Sequence, residues 1–263
     1  MLRSAGIAAG DARVLMRAAL GVDDAYLIAH SGKPPADRQR ERYLEWVERR
    51  RGGEPVAYLT GEREFYSLAF KVTPAVLIPR PETELLVEAA LERIPMQAPS
   101  RVLELATGSG CVAVAIALHR PRARVTATDR SRAALAVARE NAARHGAGIE
   151  LVESDWFAAL AGRRFDFVVS NPPYVADGDP HLAEGDLRFE PRAALAGGAD
   201  GLACIRLIIE QARAHLEPGA RLLLEHGHEQ AAHCRALLER AGYREVTSRG
   251  DLAGIERVSG GKV

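Results

Sequence analysis

Short apolar runs alternate with helical patterns over the second half of the chain. Each run is bounded by turn residues and precedes a segment whose apolar positions recur every three or four residues. This alternation predicts a mostly parallel sheet with helices on both faces. The predicted strands are 101–105, 124–128, 149–152, 165–170 and 221–225. Two further strands, 243–247 and 256–258, have no helix between them and can pair antiparallel at one edge.

The first part of the chain, to about residue 75, has a helical pattern instead. Asp11 and Asp23 are placed to cap two helices, and a third helix is predicted over 37–51. Apolar residues three and four apart on that helix predict one buried stripe, formed by Tyr43, Leu44 and Val47. Two aromatic-rich runs, 65–68 and 70–73, then predict a hairpin.

Composition narrows the class of protein. Lys+Arg and Asp+Glu both number 35, and this balance argues against binding nucleic acid mainly through bulk charge. The three cysteines are far apart and form no metal-binding pair, which favours a reducing compartment. The longest apolar run, 111–118, is too short to span a bilayer, and Asp11 and Arg13 interrupt any signal-peptide core. We therefore expect a soluble cytoplasmic protein.

The four residues Asn171, Pro172, Pro173 and Tyr174, hereafter the NPPY segment, follow the strand predicted at 165–170. Proline cannot donate to a sheet ladder, so the strand must end there, and Asn171 is held extended by the proline after it. An amide side chain, a backbone acceptor and an aromatic ring then lie together, which suits a planar amide or amine. The simpler alternative is a strand that ends at a proline and leads into a surface loop. For the Asn-Pro pair taken by itself, that alternative would be sufficient.

A glycine-rich turn follows the first strand of the sheet. Gly108 and Gly110 let the backbone approach a ligand closely, and Asp129 lies about 20 residues farther on, as a ribose-binding acid does. Nicotinamide enzymes and S-adenosylmethionine enzymes share this pattern, so the turn alone predicts only an adenosine ligand.

Three features favour S-adenosylmethionine. The NPPY segment sits where a dehydrogenase needs no amide-binding site, and the two terminal strands have no crossover helix. Asp155, Trp156 and Phe157 follow the third strand and offer an acceptor and an aromatic wall to an adenine ring. Core packing is the alternative for the two aromatic residues.

Two other groups leave alternatives open. Arg80 and Glu82, beside two prolines, fit either a rigid linker or the mouth of a site. His226 and His228 form an H-x-H pair after a strand, but alternate strand residues point to opposite sides and no Cys or acidic partner completes a set. No metal is expected.

Taken together, these segments resemble the enzymes that methylate the side-chain amide of glutamine in bacterial peptide chain release factors, a family of class I S-adenosylmethionine methyltransferases. The resemblance covers nearly all of 55–258, and the helical N-terminal unit has the expected length. The segments that carry it are 55–61, 77–84, 104–110, 155–157, 171–174, 179–182, 185–191, 200–202, 225–227, 251–254 and 256–258.

The resemblance implies a Rossmann-like, seven-stranded class I methyltransferase domain at 76–263. It also implies a small N-terminal helical domain at 1–75 that docks the substrate, joined by a β-hairpin linker. The implied cofactor is S-adenosylmethionine and the implied partner is a release factor, methylated on the glutamine of its Gly-Gly-Gln motif. We expect a monomer that contacts neither membrane nor nucleic acid directly.

The resemblance also implies roles for individual residues. Asn171, Pro172, Pro173 and Tyr174 would hold the glutamine, with Asn171, Pro172 and Tyr174 catalytic, and the cofactor would be bound by Ala106, Thr107, Gly108, Ser109, Gly110, Asp129, Trp156 and Asn171. From the residues themselves we add Arg80 and Glu82 to the substrate-binding set, and Glu104 and Asp155 to the cofactor-binding set; Glu104 could face the ammonium group of the methionine moiety. The family usually has Asp-Leu-Gly where this chain has Glu-Leu-Ala at 104–106, so a small adjustment of the cofactor fit is expected.

Three alternatives stay open at this point. An adenine-N6 nucleic-acid methyltransferase would use the same segment on the exocyclic amine of a flipped base, although the balanced charge speaks against it. A glutamine methyltransferase acting on a ribosomal protein is closer, and only the loop at 180–191 argues against it. A non-catalytic cofactor-binding module is a different class, which measurable methyl transfer would exclude.

Overall fold

The computed structural model describes residues 6–263 and begins with a small helical unit. Its helices are α1 (Ala9–Leu20), α2 (Asp24–Ala29), α3 (Asp37–Arg51) and α4 (Val56–Thr60). Asp23 caps α2 by accepting a hydrogen bond from the Tyr26 N–H at 2.8 Å, as its position in the sequence predicts. Tyr43 and Val47 of α3 are buried against α1, but Leu44 is 47% exposed, so the predicted stripe is wrong at that residue.

A two-stranded hairpin follows this unit, but the predicted strand bounds are wrong. Tyr66 and Ser67, both expected within the strand at 65–68, form the turn itself with φ of 53° and 60°. The reason lies in two carboxylates: Glu84 accepts the Tyr66 N–H at 2.9 Å and Glu64 accepts the Ser67 N–H at 2.7 Å. The strands are β1 (Glu62–Phe65) and β2 (Leu68–Lys71).

A seven-stranded sheet forms the rest of the molecule. Its strands are β3 (Arg101–Leu105), β4 (Arg124–Asp129), β5 (Ile149–Glu153), β6 (Phe165–Ser170), β7 (Leu216–Glu225), β8 (Arg244–Gly250) and β9 (Glu256–Lys262). The order across the sheet is β5-β4-β3-β6-β7-β9-β8. The first five strands pair in parallel, and β9 lies antiparallel between β7 and β8. The expected antiparallel pairing of the last two strands is confirmed.

Helices cover both faces of the sheet. They are α5 (Glu84–Leu91), α6 (Cys111–His119), α7 (Arg132–His145), α8 (Ala203–His215) and α9 (Ala231–Arg240). One apolar cluster joins α5 and α6 to the sheet, and a second joins α8 and α9 to its other face. Burial on both faces explains why the central strands are almost uniformly apolar. Within residues 6–263, no helix is both long and apolar enough to cross a membrane.

The long segment between β6 and α8 connects the two parts of the molecule. It contains three short 3-10 turns: Pro180–Ala183, Leu187–Phe189 and Arg192–Ala194. Asp186 of this segment pairs with Arg50 of α3 at 2.7 Å, and Arg188 donates to the Gly52 carbonyl. The same segment then passes the carboxyl ends of the central strands, where it forms one wall of a cavity.

Candidate active site

A cavity of about 560 Å³ lies at the carboxyl ends of the central parallel strands. Such a position is where open α/β sheets bind their ligands. Pro173 of the NPPY segment also borders it. Of the ten residues predicted to bind cofactor, six line this cavity: Ala106, Gly108, Asp129, Asp155, Trp156 and Asn171.

The other four predicted residues, Glu104, Thr107, Ser109 and Gly110, are buried within or beneath the glycine-rich turn. The Glu104 carboxylate accepts hydrogen bonds from the Thr107 hydroxyl and from the Ala113 N–H at 3.0 Å. Burial raises the pKa of Glu104 to about 8, although these two hydrogen bonds lower it. Glu104 thus stabilises the glycine-rich turn through these hydrogen bonds. Direct contact of the four residues with cofactor stays a prediction.

The backbone of the turn takes conformations that favour glycine. Gly108 and Gly110 have φ of 55° and 80°, and a methyl group added at Gly110 would lie 3.1 Å from the Ala138 side chain. Gly110 is therefore required both by its conformation and by the close approach of α7. Ala106 also has a positive φ, 55°, although it carries a side chain.

Two polar residues hold the cofactor side of the cavity in place. The Asp129 carboxylate accepts the Gly108 N–H at 3.0 Å and the Ser131 N–H at 2.8 Å, which ties the end of β4 to the turn. The Ser154 hydroxyl donates to the Trp156 carbonyl at 2.8 Å and so supports the positive φ of 50° at Trp156. Sequence reasoning missed Ser154, because a single serine before an exposed turn gives no distinctive sequence signal.

The NPPY segment begins directly after β6. Ser170 is fully buried and donates to the Leu105 carbonyl at 2.9 Å, which fixes the strand end against β3. Pro172 and Pro173 are buried, whereas Asn171 and Tyr174 are half-buried. The Asn171 side-chain nitrogen, Nδ2, donates to the Thr83 hydroxyl at 3.0 Å, so its oxygen, Oδ1, remains to face a ligand.

Further contacts support the segment from behind. Gly197 donates to the Val175 carbonyl at 2.8 Å, and a methyl group at Gly197 would lie only 2.7 Å from the Pro173 carbonyl oxygen. The Gln230 side chain donates to the Tyr174 carbonyl at 3.0 Å. Residues distant in sequence therefore restrain the backbone of the NPPY segment.

A buried carboxyl group lies against the Tyr174 side chain. The Tyr174 hydroxyl donates to Glu225 Oε1 at 3.3 Å, and Glu225 is 1% exposed at the end of β7. Burial raises the pKa of Glu225 to about 7, while the neighbouring hydroxyls of Thr83 and Tyr174 lower it. Sequence reasoning assigned no role to Thr83 or Glu225, although both lie in segments that carry the family resemblance. The position of Thr83 and Glu225 in those segments was the sequence signal that could have pointed to them.

The structure gives Arg80 and Glu82 different surroundings. Arg80 forms an ion pair with the Glu190 carboxylate, whose side chain is 0% exposed, and Glu190 also accepts the Ile78 N–H at 3.0 Å. Arg80 thereby joins the linker before α5 to the long segment after β6. Glu82 is exposed. Contact of either residue with substrate stays a prediction.

The histidine pair has separate environments. His226 is buried and bonded through Nε2 to the Ser259 hydroxyl at 2.8 Å, and burial lowers its pKa. The side chain of His228 is 65% exposed. Across residues 6–263, no group of three or more His, Cys, Asp or Glu side chains is arranged to hold a metal ion.

Comparison with known proteins identifies the family. A family model described as the PrmC N-terminal domain matches residues 1–61, and one described as the methyltransferase small domain matches residues 81–186. The chain is 56% identical to the release factor glutamine methyltransferase of Burkholderia pseudomallei, over 100% of this chain and 95% of that protein. The chain belongs to the release factor glutamine methyltransferase family.

More distant members and neighbours agree with this assignment. The release factor glutamine methyltransferase of Escherichia coli is 46% identical, with 96% of this chain and 91% of that protein covered. A methyltransferase structure from Pyrococcus furiosus matches with a TM-score of 0.57 at 19% identity, covering 83% of this chain and 97% of that one. The predicted family, class I fold, cofactor and activity as an S-adenosylmethionine-dependent protein-glutamine methyltransferase are confirmed.

Proposed function

We propose that the NPPY segment holds the side-chain amide of the glutamine in the Gly-Gly-Gln motif of a release factor. Methyl transfer from S-adenosylmethionine in the adjoining cavity would then yield the N5-methylated glutamine. The observation that carries the proposal is the hydrogen bond from Asn171 Nδ2 to Thr83 at 3.0 Å. With its nitrogen engaged, Asn171 presents an acceptor oxygen beside the cavity.

The residues that line the cavity fit S-adenosylmethionine. Asp129 and Trp156 line the cavity, where the Asp129 carboxylate would accept the ribose hydroxyls and Trp156 would pack against the adenine ring. Gly108 has open space where a side chain would stand, which allows close backbone approach. When bound, S-adenosylmethionine supplies an electrophilic methyl group on its sulfonium.

The NPPY segment addresses the weak nucleophilicity of a primary amide. Asn171 Oδ1 and the Pro172 carbonyl would accept the two N–H groups of the glutamine amide and hold its nitrogen toward the methyl group. Such positioning supplies about 7–11 kcal/mol in favourable cases. Both acceptors also stabilise the positive charge that grows on nitrogen, and Tyr174 would pack against the amide plane. No strong general base is needed, because the proton becomes acidic only after methyl transfer.

The finer features of the proposal concern partners and setting. We expect a cytoplasmic monomer that contacts neither membrane nor nucleic acid directly. The N-terminal domain at 1–75 would dock the release factor. The contact between Arg50 and Asp186, at 2.7 Å, supports this role because it ties that domain to the segment whose residues 191–194 line the cavity.

Transfer of labelled methyl from S-adenosylmethionine to purified release factor tests the proposal. The matched control is a release factor whose Gly-Gly-Gln glutamine is changed to alanine. We expect label on the first protein and none on the second. Label on neither, with label instead on a ribosomal protein or on DNA, would contradict the choice of partner and leave the amide-binding chemistry in place.

A further inference from the structure

The side chain of Gln230 joins the NPPY segment to the end of β7. Its nitrogen, Nε2, donates to the Tyr174 carbonyl at 3.0 Å, and its oxygen, Oε1, accepts the Gly227 N–H at 2.9 Å. The backbone carbonyl of Gln230 accepts the Cys234 N–H at 2.9 Å, at the start of α9. One half-buried residue therefore connects the NPPY segment with the sheet and with a helix.

We propose that Gln230 is a positioning residue for methyl transfer, which holds the Tyr174 backbone, and with it the NPPY segment, at a fixed place relative to the sheet. The inference rests on the proposed function and deepens it. The acceptors for the glutamine amide belong to the NPPY segment, whereas the cavity residues that would hold the cofactor lie at strand ends. A bond between the segment and the sheet therefore sets the distance between the amide nitrogen and the methyl group.

The orientation of the Gln230 amide is fixed by its two partners. A backbone N–H can only donate and a backbone carbonyl can only accept, so Oε1 must face Gly227 and Nε2 must face Tyr174. A leucine side chain has neither group. An ionised carboxylate at this position could accept from Gly227 but could not donate to Tyr174, so both bonds need an amide or a protonated carboxyl group.

The anchor at Gly227 belongs to a well-supported part of the sheet. The His226 N–H donates to the Arg257 carbonyl at 2.9 Å, which continues the pairing of β7 with β9. The His226 ring is buried and bonded to the Ser259 hydroxyl of β9 at 2.8 Å. β9 therefore fixes the backbone to which Gln230 is bonded.

The hydrogen bond to Tyr174 is covered by Gly201. A methyl group at Gly201, whose φ is 72°, would lie 2.8 Å from Gln230 Nε2 and still closer to the Tyr174 carbonyl oxygen. Within residues 6–263 no backbone N–H bonds to this carbonyl, whereas the next residue, Val175, has both its N–H and its carbonyl bonded to backbone, at 2.9 Å and 2.8 Å. Loss of the Gln230 amide would leave the Tyr174 carbonyl without this donor.

The Tyr174 side chain is held at its other end as well. Its hydroxyl donates to Glu225 Oε1 at 3.3 Å, so bonds to Gln230 and to Glu225 restrain the residue from two sides. Tyr174 directly follows Pro172 and Pro173, whose rings limit rotation, so a shift of its backbone carries to the Pro172 carbonyl. Misplacing a reacting group by about 1 Å can cost about 100-fold in rate, even when the altered residue is far from the chemistry.

Gln230→Leu removes both hydrogen bonds at similar side-chain length. We expect kcat to fall about 10- to 100-fold, because the acceptors of the NPPY segment lose their fixed place. The KM for release factor and the Kd for S-adenosylmethionine should each change by less than about threefold, since positioning acts mainly in the transition state. Methyl transfer under saturating cofactor and calorimetry measure these quantities.

Gln230→Glu has a readout that a purely structural role would not produce. At about pH 8 the carboxylate cannot donate to the Tyr174 carbonyl, and kcat should fall as in Gln230→Leu. The pKa of this carboxyl should lie above the usual glutamate value of about 4.3, because the site is half-buried and faces a carbonyl. As it gains a proton, both bonds can form. The ratio of variant to wild-type kcat should therefore rise by at least about threefold between about pH 8 and about pH 5.5, and the ratio for Gln230→Leu should stay constant.

Two further variants control for stability and charge. Tyr243→Phe removes another side-chain donor to a backbone carbonyl, that of Ile209 at 3.1 Å, which does not border the cavity. Gln211→Glu introduces the same charge at an exposed position of α8. Both should keep the wild-type kcat and pH profile. Urea denaturation of every variant at both pH values establishes that kcat is measured on folded protein.

The outcomes separate this inference from the proposed function. If the unaltered enzyme methylates release factor but folded Gln230→Leu keeps its kcat, the inference is wrong and the function stands. A ratio for Gln230→Glu that stays constant as pH falls would also contradict the inference, as would a loss of cofactor affinity as large as the loss of kcat. Failure of the unaltered enzyme to methylate release factor would overturn the proposed function itself.

Discussion

The two sides of the cavity are held together by contacts of very different range along the chain. On the cofactor side, Glu104 bonds to residues 3 and 9 positions away and Asp129 to one 21 positions away. On the side where we propose that the glutamine binds, Asn171 bonds to a residue 88 positions away and Tyr174 to residues 51 and 56 positions away. The contacts on the cofactor side join residues that are close in sequence, whereas the contacts on the other side require the complete fold.

This difference separates two tasks. A short strand–turn–helix motif can form a ligand site from the backbone amides of its turn. The geometry of such a site is set by these three neighbouring elements alone. An amide-binding segment must have one orientation relative to the reacting methyl group, and its own residues cannot supply it. Hydrogen bonds with Thr83, Gln230 and Glu225 hold Asn171 and Tyr174 from three other parts of the fold.

The largest expected effect comes from removing the Asn171 side chain, which we propose faces the glutamine. Asn171→Ala should lower kcat about 100- to 1000-fold, as loss of a preorganised hydrogen-bonding group does in other enzymes. Binding of S-adenosylmethionine should change little, because Asp129 and Trp156 would carry most of it. Methyl transfer under saturating cofactor and calorimetric cofactor binding measure the two quantities separately.

Asp129→Ala provides the opposite member of the comparison. This variant should mainly weaken cofactor binding, since the lost Asp129 carboxylate both borders the cavity and ties the glycine-rich turn to β4. If Asn171→Ala weakened cofactor binding as much as it lowered kcat, the division of the cavity into two sides would be wrong.

The same division explains what could be predicted from sequence. The strands of the sheet, their helices and the NPPY segment follow from periodicity and from the chemistry of proline, which act over a few neighbouring residues. The six predicted cofactor residues that line the cavity lie at strand ends, where topology brings them together. The contacts of Asn171 with Thr83 and of Tyr174 with Glu225 could not be predicted, because no local pattern shows which residues 88 and 51 positions away will be in contact.

The errors have the same origin. β7 begins at Leu216 and not at the predicted residue 221, because its first residue pairs with Phe165 across an irregularity in the ladder. The hairpin turn is set by Glu84 of α5, which accepts the Tyr66 N–H from outside the hairpin. In both cases a partner distant in sequence overrides the local preference.

A second prediction concerns Arg80, which sequence reasoning placed among the substrate-binding residues. Arg80→Met should lower the free energy of unfolding by about 3 kcal/mol, because it leaves the fully buried Glu190 carboxylate without its cation. The double variant Arg80→Met/Glu190→Gln should recover much of that loss, since the amide can still accept the Ile78 N–H. Urea denaturation of the single and double variants measures both.

Arg13→Met is the matched control for this prediction. Arg13 pairs with Asp24 at 2.7 Å, but both side chains are more than 40% exposed, at 48% and 43%, so its loss should have little effect on stability. Wild-type stability in Arg80→Met, together with a higher KM for release factor, would instead favour the substrate-binding role.

The smallest expected effect lies on the cofactor side, at Ala106. Its φ of 55° is unfavourable for a residue with a side chain, whereas glycine takes that conformation freely. Ala106→Gly should therefore raise the free energy of unfolding by about 0.5–1 kcal/mol, after allowing for the greater chain entropy of glycine in the unfolded state. Ala161→Gly is the control, because Ala161 is exposed in a turn and is not among the non-glycine residues with positive φ.

The two variants should change stability in opposite directions. Ala161→Gly should lower it by about 0.4–1 kcal/mol through unfolded-chain entropy alone. A loss of stability in Ala106→Gly similar to that in Ala161→Gly would show that the Ala106 methyl group makes packing contacts that outweigh its backbone strain. A gain would show that this turn stores strain on the locally built side of the cavity. Cofactor affinity measured on Ala106→Gly would then show whether the methyl group also shapes the binding surface, as the departure from the family pattern suggests.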